Sequence, residues 1–343
     1  MNAIIDEKSL HAISLDHGTG AKLSRELVEI IVNTLKDVYI GEMEDSAIFS
    51  SNYEKIACTT DSFVVEPAFF LNGDIGKISV CGTVNDIAVM GAIPKYLTLA
   101  LILEEGFLIR DLIRVLKSIR ETALEAGVKI VAGDTKVVRK GEADGIYINT
   151  TGIGFFNRNP LRMSDVEVGN SIILSGYIGN HTVHLLSIRE GLGFEQRVFS
   201  DCAPLNGLIN SLLLEFAGKK IRSIRDVTRG GFSAVMHEYA SATSSAMEIH
   251  SSKLPIQAET AMAANMLGID PINCANEGCM CLFVEHDIAE DIVRFLNSHQ
   301  YGKHAAIVGK VVERNDNKVT VIDSNGIGHS LKELEGAELP RLC

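Results

Sequence analysis

The chain has 343 residues, enough for two domains with sizeable cores, and 46% of them are apolar, as in an ordinary globular protein. A net charge of -12 argues against a partner that is read through its phosphate backbone, so no nucleic acid is expected. No long charge-free apolar run suggests a membrane span, and residues 1–10, with Asp6, Glu7 and Lys8, lack the apolar centre of a secretory leader; a cytoplasmic location is expected.

The first motif is His17-Gly18-Thr19-Gly20-Ala21, which leads into a helical pattern over Leu23 to Asp37. Gly-rich backbone entering a helix can wrap phosphate oxygens; it also serves as a flexible lead-in. Glu44-Asp45-Ser46 precedes an apolar run, and a strand expected over Ile56 to Val65 carries Thr59-Thr60-Asp61-Ser62. A short acid inside an apolar strand is costly to bury unpaired, so Asp61 wants a donor or a cation. Gly73-Asp74-Ile75-Gly76-Lys77 opens a helix of small residues from Ile75 to Met90, which Gly91 and Pro94 stop. Asp86 interrupts its small, apolar surface. A strand from Lys95 to Glu104 and an amphipathic helix from Arg110 to Ala126 follow. Then comes a buried strand over Val128 to Gly133, at whose end Asp134, Thr135 and Lys136 gather an acid, a hydroxyl and an amine. A strand from Ile146 to Phe156 closes the first half, and Asn157-Arg158-Asn159-Pro160 reads as a linker.

In the second half, strands are expected at Ser171 to Ser175, Cys279 to Glu285, Ala305 to Val312 and Lys318 to Ile322. Helices are expected around His181 to Glu190, Leu205 to Ala217, Ser233 to Ala242, Gln257 to Met266 and Ile288 to His299. Arg225-Asp226-Val227-Thr228-Arg229-Gly230-Gly231 before a helix suits an anion cradle, and equally a helix start with glycines for turning. The seven cysteines have no scaffold spacing. Cys58, Cys81 and Cys202 read as buried thiols; Cys274, Cys279 and Cys281 lie close enough in sequence for a metal or iron–sulfur site but match no zinc template, and Cys279 and Cys281 equally fit alternate positions of a buried strand. Residues 335–343 show no periodicity and end on Cys343. Extended at ~3.3 Å per residue, they sweep roughly 30 Å, so the terminal thiol reaches a cleft or another protein.

Asp45, Asp61, Asp86, Asp134 and Asp226 thus punctuate apolar elements, and carboxylates of this kind hold magnesium together with nucleotide phosphates. No Walker A or kinase signature is present. Asn85-Asp86-Ile87-Ala88 with Met90-Gly91-Ala92 and Pro94 resembles the signature of the superfamily of aminoimidazole ribonucleotide synthetase, selenophosphate synthetase and thiamine monophosphate kinase. Within it, Gly133-Asp134-Thr135-Lys136-Val137-Val138, Asp226-Val227-Thr228-Arg229-Gly230-Gly231, Asn276-Glu277-Gly278 and Pro340-Arg341-Leu342-Cys343 resemble the HypE family of hydrogenase maturation factors.

The resemblance implies an α+β fold of two domains: residues 1–157 for ATP binding and dimerisation, and residues 158–334. A mobile tail, 335–343, carries the reactive Cys343. N-terminal domains of two copies are expected to share a β-barrel in a homodimer. The implied activity uses ATP and Mg2+. HypF carbamoylates Cys343, the thiocarboxamide is dehydrated to a thiocyanate, and a HypC–HypD complex receives the cyano group for the iron of [NiFe]-hydrogenase. The resemblance assigns Asp45, Asp61, Asp86 and Asp226 to the metal. It assigns Lys77, Asp134, Gly18, Gly20, Thr228, Gly230 and Gly231 to the nucleotide alongside Asp61 and Asp86, and Glu277 and Lys136 to proton transfer. Ala21 stands where the family has a further glycine, and its methyl group narrows the approach of backbone to phosphate. Two other functions remain open at this point. One is a small-molecule phosphotransferase like thiamine monophosphate kinase or selenophosphate synthetase; the other is a non-enzymatic nucleotide-binding scaffold.

Overall fold

The structure, a computed structural model, describes residues 12–14, 22–39, 55–218, 221–314 and 317–333. Its first half forms α1 (Lys22–Leu35), β1 (Ile56–Phe63), β2 (Phe69–Phe70), β3 (Gly73–Asp74), α2 (Ile75–Val89), β4 (Ile93–Glu104), α3 (Ile109–Ala126), β5 (Lys129–Val138) and β6 (Ile146–Phe155). The second half forms β7 (Ser171–Leu174), α4 (Asn180–Glu190), α5 (Asn206–Glu215), β8 (Ile221–Asp226), α6 (Gly231–Thr243), β9 (Ala246–His250) and α7 (Ala258–Leu267). It ends with β10 (Met280–Val284), α8 (Ala289–Asn297), β11 (Ala306–Val312), β12 (Val319–Ile322) and β13 (Gly328–Ser330).

Helix α2 is the hub. Asp74 caps it, accepting from the Lys77 amide at 2.9 Å, and Gly91 at φ +82° ends it. Nearly every residue between is buried, so it lies among neighbours on all sides rather than on a surface. One side packs on the four-stranded sheet β1-β6-β4-β5, in which only β4 and β5 run parallel. On this sheet Leu97, Leu99, Leu101 and Leu103 of β4 face the helices and are buried. The intervening Thr98, Ala100 and Ile102 face outward beside Thr151, Asn149 and Tyr147 of β6, and Ile102 is 40% exposed. No element among the described residues covers that outer face.

The second sheet runs β13-β12-β9-β11-β7-β10-β8, antiparallel except between β12 and β9. Alternate residues serve two cores: Ile173, Ile224 and Leu282 pack against α5 and α8, while Ile172, Leu174 and Phe283 pack against α6. Because helices cover both faces, all five residues of β10 are buried and the strand reads as an unbroken apolar run. Cys279 and Cys281 are ordinary thiols of this core, but Cys58 corrects the expectation of burial: it is exposed.

Two expectations about elements change. β5 continues through Asp134, Thr135 and Lys136 to Val138, because each residue from Gly133 onward pairs with β4; those three side chains are mid-strand, not at a strand end. β8 and β9 were not anticipated from sequence.

Candidate active site

A cleft of about 1020 Å³ lies between the sheets. α2 forms its floor, β1 one wall, and the end of β8 with Thr228, Arg229 and Glu277 the other. Among the described residues β1 bonds to β6 through one edge only, and its residues line the cleft. Strand alternation turns Thr59 and Asp61 toward α2, where the Thr59 hydroxyl donates to Asp86 Oδ2 at 2.9 Å. Asp226 arrives from β8, whose last residue pairs with Met280, the first residue of β10. Asp61, Asp86 and Asp226, 25 to 165 residues apart in sequence, are thereby gathered by three elements.

Their electrostatics show the crowding. Burial, then the Asp86 charge, pushes the Asp61 carboxyl up to about 6, against the pull of Arg229. The same two causes push Asp226 up to about 7, with Arg225 opposing. Glu277 is 5% exposed, and burial followed by the charges of Asp201, Asp226 and Asp61 drives its carboxyl well above the usual range. Such a nest of acids favours a cation. Among the described residues no three His, Cys, Asp or Glu side chains come together as a complete metal site. Carboxylate oxygens such as those of Asp61, Asp86 and Asp226 suit a hard ion that takes further ligands from water and phosphate, as magnesium does. Lys55, Arg162, Arg225 and Arg229 also line the cleft and suit a polyanion.

The remaining expected site residues divide. Thr228 lines the cleft. Gly230, at φ +76°, precedes α6; Gly231, at φ +63°, spends its amide on the Thr228 carbonyl at 2.9 Å. A Cβ on Gly231 would lie 2.6 Å from the backbone of Ile272 and Asn273, so this glycine is required by a crossing of two chain segments. Lys77 turns away to the Asn72 carbonyl at 2.9 Å and does not line the cleft. Asp134 and Lys136 pair with each other at 2.6 Å on β5, across the sheet from β1. Within one chain Lys136 does not meet Glu277, and Asp134 does not join the other acids. Their register beside Ala100 and Ile102 turns both toward the uncovered outer face. Gly18, Gly20, Asp45 and Cys343 lie outside the described residues.

Sequence reasoning missed Asp201, whose two carboxylate oxygens accept from the Glu277 and Gly278 amides, each at 3.0 Å. It also left Thr59, Lys55 and Arg162 without a role. An isolated Lys or Arg carries no local signal that separates a cleft cation from a solvated one. Asp201, amid small and apolar residues, offered the same cue that singled out Asp61 and Asp86.

Two domains around a carboxylate-lined cleft define a class, and the comparisons agree: the N-terminal domain of AIR synthase related proteins matches residues 43–156, and their C-terminal domain matches residues 167–322. Over 341 residues the chain is 38% identical to carbamoyl dehydratase HypE of Escherichia coli (strain K12), covering 97% of this chain and 100% of that protein. A crystal structure of hydrogenase maturation protein HypE in complex with ATP superposes with a TM-score of 0.91 at 36% identity, covering 96% of this chain and 99% of the other. HypE from a crystal structure of a HypE–HypF complex is 42% identical, with a TM-score of 0.77 over 90% of this chain and 99% of that one. The chain belongs to the HypE family of carbamoyl dehydratases.

Proposed function

We propose that the protein is an ATP-dependent carbamoyl dehydratase of [NiFe]-hydrogenase maturation, working on a carbamoyl group carried by its own Cys343. The observation that carries this reading is the convergence of Asp61, Asp86 and Asp226 opposite Glu277 in one cleft. An amide oxygen is a poor leaving group, and phosphorylation converts it into a good one. The carbonyl oxygen of the thiocarboxamide attacks the γ-phosphorus of ATP, ADP departs, and one N–H proton is lost. The resulting imidate phosphate gives up its second N–H proton as the carbon–oxygen bond breaks. Inorganic phosphate leaves, and a carbon–nitrogen triple bond remains on sulfur. The tail makes the encounter intramolecular and keeps cyanide bound throughout.

Glu277 takes the nitrogen protons; its burial, with the neighbouring acid charges, raises the affinity of its carboxylate for a proton. Asp61, Asp86 and Asp226, with Asp45, would hold magnesium, which would supply positive charge to the ATP phosphates. Arg229 and Thr228, which line the opposite wall of the cleft, would meet the phosphates. Cys343 is carbamoylated as a thiolate, a minor form of a free thiol with a pKa near ~8.5, so HypF supplies the activation. HypF is supported as a partner by the solved HypE–HypF complex of a relative; a HypC–HypD complex is proposed to take the cyano group.

The uncovered outer face of the four-stranded sheet supports a homodimer in which two such sheets close on each other. Lys136 then serves the partner's cleft rather than its own. We divide the chain at 157/158, between the two sheets, and assign 335–343 to the tail. No helix among the described residues is long and apolar enough to cross a membrane, and a cytoplasmic site of action is proposed.

The test is intact-mass spectrometry with HypF, carbamoyl phosphate and ATP. The protein gains a carbamoyl group, then loses one water as further ATP is consumed. Cys343→Ala abolishes both changes; a dehydrating Cys343→Ala protein defeats the proposal.

A further inference from the structure

Residues 198–205 cross from the second domain to α2 and are gripped from both sides. The Val198 carbonyl accepts from His184 Nδ1 at 2.7 Å, and the Leu71 amide donates to Nε2 of the same ring at 3.0 Å. The Ser200 carbonyl accepts from Asn72 Nδ2 at 2.6 Å, while its hydroxyl meets His181 Nδ1 at 2.8 Å. Asn85 clasps the far end, donating to the Ala203 carbonyl at 3.1 Å and accepting from the Leu205 amide at 2.7 Å. In the middle of this bridge stands Asp201.

Its carboxylate closes on the next segment in two bonds, Oδ1 to the Glu277 amide and Oδ2 to the Gly278 amide, both at 3.0 Å. The Ala203 amide returns a bond to the Glu277 carbonyl at 3.3 Å. The segments lie so close that a Cβ on Gly278 would stand 1.9 Å from the Asp201 carbonyl oxygen. On the other side of the turn, Asn276 is fully buried and bonded to Val227, Cys274 and Gly179. One carboxylate taking two neighbouring amides sets both the position and the tilt of the peptide that bears the Glu277 side chain. The other charged groups that act on Glu277 are Asp226, Asp61 and Arg229, and Lys77 acts on Asp201. None of these four is bonded to the Glu277 backbone.

We propose that Asp201 is the positioning residue for Glu277: by clamping the Glu277 and Gly278 amides it sets where the Glu277 carboxyl stands against the carbamoyl nitrogen. This rests on the reading of Glu277 as the proton acceptor. A base displaced by about 1 Å costs on the order of a hundredfold in rate.

The experiment uses full-length protein carbamoylated by HypF, with single-turnover loss of water followed by mass and ATP affinity measured separately. Asp201→Asn keeps one acceptor and slows dehydration roughly tenfold; Asp201→Ala keeps none and slows it roughly a hundredfold. ATP affinity and carbamoylation of Cys343 stay near wild type, a split that a general loosening of the cleft would not produce. If Asp201→Ala does not fold, the isosteric Asp201→Asn decides by the same split. Dehydration at the wild-type rate, or a parallel loss of ATP affinity, overturns the proposal. Glu277→Gln separates the two readings. If it is inactive while the Asp201 variants are normal, only the clamp is refuted. If it dehydrates normally, the role of Glu277 and the clamp fall together.

Discussion

Asp226 shows how one residue carries opposing demands. Its carboxyl stands at about 7 in the fold against an ordinary 3.8, so between those values the folded chain holds more protons than the unfolded one. Its stabilising contribution is therefore complete below the lower value and fades as pH rises to the upper, by at most about 1.4 kcal/mol per pH unit. Asp61, at about 6, has the same sign. Buried His181, held near 3, works the other way: stability is lost as pH falls below its ordinary 6.5. Asp226→Asn isolates the first effect. Denaturant unfolding of metal-free protein at pH 5 and pH 7.5 should show a smaller stability loss with rising pH in the variant than in the wild type. With magnesium present, the same variant should bind ATP roughly tenfold more weakly by calorimetry, about 1.4 kcal/mol. An unchanged affinity would remove Asp226 from the metal site.

Among elements, α2 is tied to the 198–205 bridge through Asn85. Asn85 is 3% exposed and faces the bridge, while its neighbour Asp86 faces the cleft, so adjacent residues of one motif divide the work. Asn85→Ala leaves the Ala203 carbonyl and the Leu205 amide without partners and should cost roughly 2–4 kcal/mol, read from the urea midpoint. Most elements were legible because each has its own period: the apolar leucines of α3 and the small residues of α2 announce helices, and β4 alternates as a one-faced strand does. β8 was not, because its sequence mixes Ile221 and Ile224 with two arginines. The structure gives one of these, Arg222, to Glu167 and Glu285 at 2.7 and 2.9 Å.

For the whole molecule, the uncovered sheet face makes two predictions. If two such sheets pair as proposed, Ile102→Asp, a charge placed on that face, should give monomers in sedimentation velocity where the wild type gives dimers; a wild-type monomer under the same conditions would refute the shared barrel. If Lys136 works in the partner's cleft, neither Lys136→Ala nor Glu277→Gln dehydrates alone, yet refolded mixtures of the two should recover about one quarter of the wild-type sites, because a mixed dimer rebuilds one intact cleft. No recovery in verified mixed dimers would return Lys136 to a structural role.

The sequence by itself determined the local matters: which stretches coil or extend, which acids break apolar patterns, and which short motifs carry the family resemblance. Those follow from properties of neighbours along the chain. Only the tertiary structure decided that Asp61, Asp86 and Asp226 share a cleft while Asp134 and Lys136 face away from it, that Cys58 is exposed, and that Asp201 holds Glu277. Each depends on strand order, on which face of a sheet is covered, or on contact between segments about 75 residues apart, and no window of neighbouring residues encodes such a distance.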